Sequence, residues 1–310
     1  MDTLTKPISA PRRRTTADTV YPILLLVSVT HLLNDMMQSV IPAVYPLLKA
    51  KFGFSFAQIG LITLVFQMTS SILQPFVGRY ADRHPRPYSL AAGMCFTLAG
   101  LFALALAPGF APILLAVALI GWGSSIFHPE SSRVAQLASG GRKGLAQSIF
   151  QVGGNAGSAF GPLLAALVVI PYGQTSIMWF APAALLAIGI LLRIGNWYKR
   201  QLNAATAAPV TATAAAAELP RRKIRRALLI LTVLVFSKYF YIACMTNYFT
   251  FFLMDKFAFS VQDAQYSLFA FLAASAAYLR QRCFESCIRL RPRRQTNSGD
   301  STAVTRFRRL

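Results

Sequence analysis

Four polar side chains recur at helical spacing inside an otherwise apolar stretch near the N-terminus: His31, Asn34, Asp35 and Gln38. The spacing i, i+3, i+4, i+7 places all four on one face of a helix. A histidine titrates near neutral pH, so His31 beside Asp35 predicts proton exchange. Because ionisable groups are costly in a bilayer core, the stripe predicts a water-filled cavity, with a buried structural network as the alternative.

A second polar group lies in the fourth apolar run, where His128, Glu130 and Arg133 flank Pro129. The spacing of Glu130 and Arg133 allows an ion pair, which lowers the cost of burying both charges. Pro129 removes a backbone donor and predicts a kink. Since this stretch lies towards the cytoplasmic end of its run, solvated side chains are the alternative to a buried cluster.

Further polar groups occur in the fifth and seventh runs. Lys238 lies near the middle of its run, too deep for its ammonium group to reach the interface easily. It is predicted to face an anionic substrate or to pair with Asp35. The candidate substrate contacts are Asn34, Gln38, Gln151, Asn155, Lys238 and Tyr241.

Metal ligation is not expected from this sequence, and no cofactor is predicted. It contains no H-E-x-x-H pattern, and the groups around Asp35 and Glu130 are predicted at different depths. An intramembrane metalloenzyme using His31, Asp35, His128 and Glu130 is therefore disfavoured, as is a metal site at Cys283 and Cys287, which have no nearby histidine or third cysteine.

These residues are carried by apolar runs of about 20 residues, each long enough to cross a bilayer as a helix. The chain is 55% hydrophobic and only 13% charged, against about 25% charged residues in soluble domains, so lipid must be its solvent. The N-terminus and the loops after the second, fourth and sixth runs are basic, which predicts a cytoplasmic N-terminus. The net charge of +21 therefore indicates membrane topology and not nucleic-acid binding.

The order of runs and loops predicts an all-α integral membrane protein. A cytoplasmic segment (1–19) precedes six transmembrane helices (20–197), and an Ala/Thr/Pro-rich cytoplasmic linker (198–226) leads to two further helices (227–279). Six helices, a central linker and further helices are typical of a transporter built from two repeated halves. The second half would be incomplete, because it has about two helices.

The last segment, 280–310, differs from the rest of the chain because it holds nine Arg and no Lys. It has no apolar period, and we expect it to be disordered. Our hypothesis is a frameshift near Ala276 that replaces the remainder of a longer protein. The alternative is a native basic tail at the membrane surface. Second-half helices encoded downstream in another frame would support the frameshift, and their absence would refute it.

The loop between the second and third runs resembles the signature loop of the major facilitator superfamily, through Gly78-x3-Asp82-Arg83. It departs from that signature at Pro85 and Pro87, where the family has a second glycine and a further basic residue. The resemblance implies a twelve-helix fold of two halves. It also implies that Gly78, Asp82 and Arg83 take part in the gate between them.

Longer strings resemble one branch of that superfamily, the bacterial fosmidomycin efflux transporters. Among them are THLLND at 30–35, FHPESSR at 127–133, GLAQSIFQVGGN at 144–155 and FSKYFY at 236–241. The resemblance implies a non-enzymatic, multi-pass protein of the bacterial inner membrane that exchanges protons for a small anionic phosphonate drug. Asp35 and His31 would then couple protons.

Because the predicted second half has only about two helices, a second class of function is open. In this alternative the chain is a membrane fragment that does not transport. A half transporter cannot alternate against a partner half that it lacks. Activity of the chain alone would then require a homo-oligomer or a separately made second half.

Overall fold

The computed structural model describes residues 18–207 and 221–289, and these residues are almost entirely helical. Within them, seven segments are long and apolar enough to cross a membrane, which confirms the all-α membrane fold. Residues 1–17, 208–220 and 290–310 lie outside the described residues, and they include most of the predicted N-terminal segment (1–19), part of the predicted linker (198–226) and most of the predicted tail (280–310). The helices are α1 (Tyr21–Ala43), α2 (Tyr45–Phe52), α3 (Phe56–Gln67), α4 (Leu73–Arg83), α5 (Ser89–Leu106), α6 (Phe110–Leu137), α7 (Lys143–Leu164), α8 (Ile170–Tyr172), α9 (Ala181–Ala207), α10 (Arg221–Phe257) and α11 (Val261–Arg289).

Three short segments of non-α helix join these elements. A π-helical turn at Met68–Ile72 connects α3 to α4, and another at Ala165–Val169 connects α7 to α8. A 3-10 helix at Gln174–Phe180 leads into α9. The second, fifth and sixth predicted runs are therefore continuous spans of Phe56–Arg83, Lys143–Tyr172 and Gln174–Ala204.

The first apolar run is divided at Val44 into α1 and α2. Pro46 has no N–H to donate to the carbonyl of Pro42 four residues earlier, so the helical hydrogen-bond ladder is interrupted here. The second run begins at Phe56. Ser55 caps it, because the Ser55 hydroxyl accepts from the Gln58 N–H while the Gln58 side chain accepts from the Ser55 N–H.

Helices α1 and α7 pack closely along a row of glycines. A methyl group on Gly153 would meet the Ser28 carbonyl, and one on Gly157 would meet the Leu32 carbonyl, both well inside van der Waals contact. Small residues of this kind let two helix backbones approach each other closely. This contact fixes the polar stripe of α1 against the amide-bearing face of α7.

The helices at both predicted segment boundaries are longer than expected. Helix α9 continues to Ala207 and α10 begins at Arg221, so the predicted linker shrinks from both ends. Helix α11 continues past the predicted end at Leu279 to Arg289. No Gly or Pro occurs between Leu279 and Arg289, and Arg, Gln and Glu support helices well. The predicted tail is thus helical over 280–289.

Helix α10 differs from the others in its exposure. All its side chains from 222 to 241 are exposed, whereas Asn247 and Thr250 near its other end are buried. Asn247 is tied to the first six spans, since its Oδ1 accepts a 3.0 Å hydrogen bond from the Thr63 hydroxyl. Helix α11 packs on α7, and Gln265 donates to the Ala43 carbonyl at 2.7 Å.

Candidate functional site

His31 lies at the centre of a buried cluster where α1 meets α7. Its ring stacks on Phe150 with centroids 3.9 Å apart, and only 2% of the residue is exposed. The Nδ1 atom lies 2.8 Å from the Phe150 carbonyl oxygen. Because a carbonyl only accepts hydrogen bonds, Nδ1 carries a proton and donates it here. The other ring nitrogen, Nε2, is thereby directed at Asp35.

Asp35 lies between two histidines. Its Oδ2 is 3.3 Å from His31 Nε2, and its Oδ1 is 3.8 Å from His128 Nε2. Asn34 donates a 3.0 Å hydrogen bond to Oδ1. With Nδ1 protonated, the Nε2 lone pair of a neutral His31 would face a carboxylate oxygen across 3.3 Å, which is unfavourable. A proton shared between these two atoms converts that contact into a charge-assisted hydrogen bond.

His128 belongs to this cluster and not to the one predicted from the sequence. Its ring meets the His31 ring edge-on, with centroids 5.3 Å apart. Residues two apart on a helix are rotated by about 200°, so His128 and Glu130 face different neighbours. The i, i+2 spacing therefore predicts that His128 and Glu130 belong to different clusters.

Glu130 and Arg133 form the predicted ion pair, with Arg133 Nη1 3.4 Å from Glu130 Oε1. The same guanidinium group donates to the Ala81 carbonyl at 2.6 Å and contacts the Asp82 carboxylate. Glu130 is 1% exposed, Arg133 is partly exposed and Asp82 is exposed. Arg133 therefore joins α6 to the end of α4 that carries the predicted signature loop.

The remaining residues of that loop lie close to this contact. Gly78 packs against Pro129 of α6, since a methyl group on Gly78 would lie 3.6 Å from the Pro129 Cβ. Arg133 Nη2 also donates to the Gly78 carbonyl at 3.4 Å. Arg83 is exposed. Helix α6 itself continues through Pro129 to Leu137.

The histidine–aspartate–histidine cluster opens onto a cavity of about 680 Å³. The cavity has a polar lining drawn from α1, α6, α7, the second span and α10. Gln38 is held in this lining by the Ser124 hydroxyl, which donates to Gln38 Oε1 at 3.0 Å. The lining residues are His31, Asp35, Gln38, Gln67, Ser71, Gln74, His128, Pro129, Ser132, Gln147, Phe150, Gln151 and Tyr239.

Sequence comparison identifies the family of this helical arrangement. The profile of the Major Facilitator Superfamily matches residues 27–296. The chain belongs to the major facilitator superfamily. The assignment made from the signature loop is therefore confirmed.

Two relatives in this superfamily match most of the chain. The Fosmidomycin resistance protein of Escherichia coli (strain K12) is 55% identical over 273 residues, covering 88% of this chain and 67% of that protein. The Uncharacterized MFS-type transporter YfnC of Bacillus subtilis (strain 168) is 42% identical over 274 residues, covering 87% and 67%. The chain thus spans about two thirds of the length of each relative.

A solved structure shows the same fold. It is the crystal structure of a bacterial homolog to the human lysosomal transporter Spinster, in an inward-facing and unoccupied conformation. It is 16% identical, with a TM-score of 0.60, and covers 87% of this chain but 61% of that protein. At this identity the likeness concerns the fold alone.

Some of the predicted substrate contacts line the cavity, and others do not. Gln38 and Gln151 line the cavity of about 680 Å³. Asn34 is buried and donates a hydrogen bond to Asp35. Asn155 is not among the lining residues. The predicted pairing of Lys238 with Asp35 is not observed among the described residues, because Asp35 pairs with the two histidines.

The two candidates on α10 lie away from the cavity. Lys238 is exposed, with its ammonium nitrogen 5.4 Å from the centre of the Tyr239 ring. Tyr241 is exposed and contacts Phe271 of α11 edge-on, with centroids 6.2 Å apart. Tyr239, which lies between them in sequence, lines the cavity instead. The side-chain direction on α10 could not be fixed from sequence because its run is apolar or aromatic on every face.

The cavity lining also includes polar residues at helical spacing, of which Gln67 and Gln74 are recognisable from the sequence as polar groups of the second run. Gln67, Ser71 and Gln74 follow the i, i+4, i+7 pattern on the second span, the spacing that identified the α1 stripe. Gln147 lies one turn before Gln151 and accepts a 3.3 Å hydrogen bond from Ser132. Polar stripes on three spans therefore converge on one cavity.

Proposed function

We propose that this chain belongs to a proton-coupled exporter of a small anionic phosphonate drug, of the kind represented by fosmidomycin. The observation that carries the proposal is the His31–Asp35–His128 contact, which faces a polar cavity inside a membrane-spanning fold. The name of the Escherichia coli relative supports the substrate class. The positions of the basic loops support an inner-membrane location with a cytoplasmic N-terminus.

Asp35 and His31 carry the proton in this proposal. The Phe150 carbonyl holds Nδ1–H of His31, so Nε2 and the Asp35 carboxylate share the exchangeable proton. His128 is the second partner of Asp35 and reaches the carboxylate from α6. A rigid-body movement that opens the cavity to the other side would release the proton there.

Cavity amides contact the substrate. Gln38 lines the cavity, and its Nε2 is a buried donor without a hydrogen-bond partner among the described residues. A phosphonate offers acceptor oxygens for such a donor. Gln151 lines the same cavity, and we retain Asn34, Asn155, Lys238 and Tyr241 as candidates for the path of the anion.

Gly78, Asp82 and Arg83 form the gate in this proposal. Arg133 supports that role, because it ties Asp82 and two backbone carbonyls of the same segment to α6. Movement of α6 would thereby be transmitted to the loop between the second and third spans.

A non-transporting fragment remains the second candidate, and the exposure of α10 favours it. Side chains 222–241 are all exposed, and Tyr239 is the α10 residue that lines the cavity. The site of a two-half transporter lies between its repeats. The chain alone would then need a second copy or a separate second half to transport.

Drug resistance distinguishes the two candidates. The chain as written and a chimera would be expressed in a fosmidomycin-sensitive bacterium. In the chimera, the part of the Escherichia coli relative beyond the aligned region follows Ala276. Resistance from the chimera alone supports the exporter proposal with an inactive fragment, and resistance from both supports an active chain. Resistance from neither would overturn the substrate class.

A further inference from the structure

We propose that His31, Asp35 and His128 form a binding site for a divalent first-row transition-metal ion. One potential ligand atom from each residue lies within 4.8 Å of the other two. The proposal concerns metal binding by this chain and does not depend on transport.

The separations suit a metal ion. Two ligand atoms each about 2.1 Å from one metal lie about 3.0 to 3.4 Å apart at octahedral or tetrahedral angles. His31 Nε2 and Asp35 Oδ2 are 3.3 Å apart, and His128 Nε2 is 3.8 Å from Asp35 Oδ1. The ligand atoms of the three residues lie within 4.8 Å of one another, so His128 would move closer when an ion binds.

His31 has the orientation that metal-binding histidines usually have. Its Nδ1–H donates to the Phe150 carbonyl at 2.8 Å, so the lone pair of Nε2 points at Asp35. Such an outer hydrogen bond fixes the tautomer and the ring plane of a metal ligand. Asn34 fixes the carboxylate in the same way, by donating to Asp35 Oδ1 at 3.0 Å.

The lone pairs of Nε2 and Oδ2 cannot face each other at 3.3 Å without a positive species between them. A proton satisfies the contact in one state, and a metal ion satisfies the same lone pairs in another. Two imidazoles and one carboxylate favour Zn²⁺, Ni²⁺, Cu²⁺ or Fe²⁺ over Mg²⁺ or Ca²⁺.

The cavity supplies both access and open coordination positions. All three side chains line the space of about 680 Å³, so an ion can enter and keep water on its free side. Three protein ligands with room for solvent form an open site and not a closed structural one.

Equilibrium dialysis with Ni²⁺ tests the site on the purified full chain, with an affinity tag that contains no histidine. N-ethylmaleimide would first block the four cysteines, so that thiols do not bind the ion. We expect one Ni²⁺ per chain and at least about tenfold weaker binding in His31→Gln, Asp35→Asn and His128→Gln. His84→Gln is the matched control, because His84 is exposed in a loop outside the cluster.

Equal Ni²⁺ affinity in all four variants would overturn the site, as would loss of binding in His84→Gln alone. A second measurement needs no variant and so is independent of folding defects. Diethylpyrocarbonate modifies accessible histidines, and mass spectrometry reads each position. Ni²⁺ is expected to protect His128 and to leave His84 reactive. Equal modification of His128 with and without Ni²⁺ would contradict the proposal.

Discussion

At the scale of the residue, the site depends on one carboxylate held between two imidazoles. The sequence predicted the stripe His31, Asn34, Asp35 and Gln38, because its spacing needs only the geometry of one helix. It did not predict the contact of Asp35 with His128, since that contact depends on how α6 packs beside α1. Their separation by two residues nevertheless predicts that His128 and Glu130 lie on opposite faces of α6.

Replacing the carboxylate should abolish coupling without affecting insertion. In the chimera, we expect Asp35→Asn to lose fosmidomycin resistance, because an amide cannot exchange the shared proton. Asp255→Asn is the control, since Asp255 is exposed on α10. Minimal inhibitory concentrations and membrane abundance would be measured together. Resistance retained by Asp35→Asn at normal abundance would remove this carboxylate from the mechanism.

A methyl group can disturb the same cluster without removing any of its members. A Cβ on Gly154 would lie 2.5 Å from His31 Nε2 and 2.9 Å from Asp35 Oδ2. Gly154→Ala should therefore displace the His31 ring and lower the stability of the chain by about 1–3 kcal/mol. Gly144→Ala should be silent, because nothing lies within 4 Å of its added methyl group.

Resistance of the chimera and thermal unfolding of the purified chain would compare the two glycine variants. We expect Gly154→Ala to lose resistance even where its abundance matches that of Gly144→Ala. Equal resistance and equal unfolding temperatures would show that the cluster tolerates the displacement. The close packing of Gly154 against His31 would then not be required for resistance.

At the scale of the element, Arg133 links α6 to the end of α4. The pairing of Glu130 with Arg133 was predictable from the i, i+3 spacing. The further contacts of Arg133 with Ala81, Gly78 and Asp82 were not predictable, because they join positions about fifty residues apart in sequence. Long-range contacts of this kind depend on tertiary packing and leave no local pattern.

Removing the guanidinium group should be costly because it leaves Glu130 buried and unpaired. Breaking a fully buried pair costs about 3–5 kcal/mol, and we expect a smaller loss here because Glu130 is 1% exposed but Arg133 is partly exposed. We expect Arg133→Gln to lower the unfolding temperature in detergent, and the double variant with Glu130→Gln to recover part of the loss. Arg79→Gln, at an exposed position on the same α4, should change little.

The double variant decides whether charge is the cause. If Glu130→Gln gives no recovery in the Arg133→Gln background, then the lost carbonyl contacts of Arg133, and not the unpaired carboxylate, account for the destabilisation.

At the scale of the whole molecule, apolar run lengths and basic loops were sufficient to predict the all-α membrane fold. The ends of the elements were less predictable, because helix propensity and caps extend helices beyond their apolar cores. The Arg/Gln-rich stretch carries α11 past the predicted end at Leu279 to Arg289. Composition alone had assigned this stretch to the tail.

The extension of α11 to Arg289 is compatible with the frameshift hypothesis. A helix through 280–289 requires helix-forming residues and no breaker, conditions that an out-of-frame segment can also meet. Reading the other frames downstream of Ala276 for apolar helices remains the direct test of that hypothesis.

We propose that the contact between His31, Asp35 and His128 couples proton movement to export of an anionic drug. The most direct measurement is fosmidomycin flux in proteoliposomes that contain the chimera, driven by an imposed pH gradient. We expect flux that follows the gradient and is lost in Asp35→Asn and His128→Gln but kept in His84→Gln. Gradient-driven flux of normal size in Asp35→Asn would contradict the account.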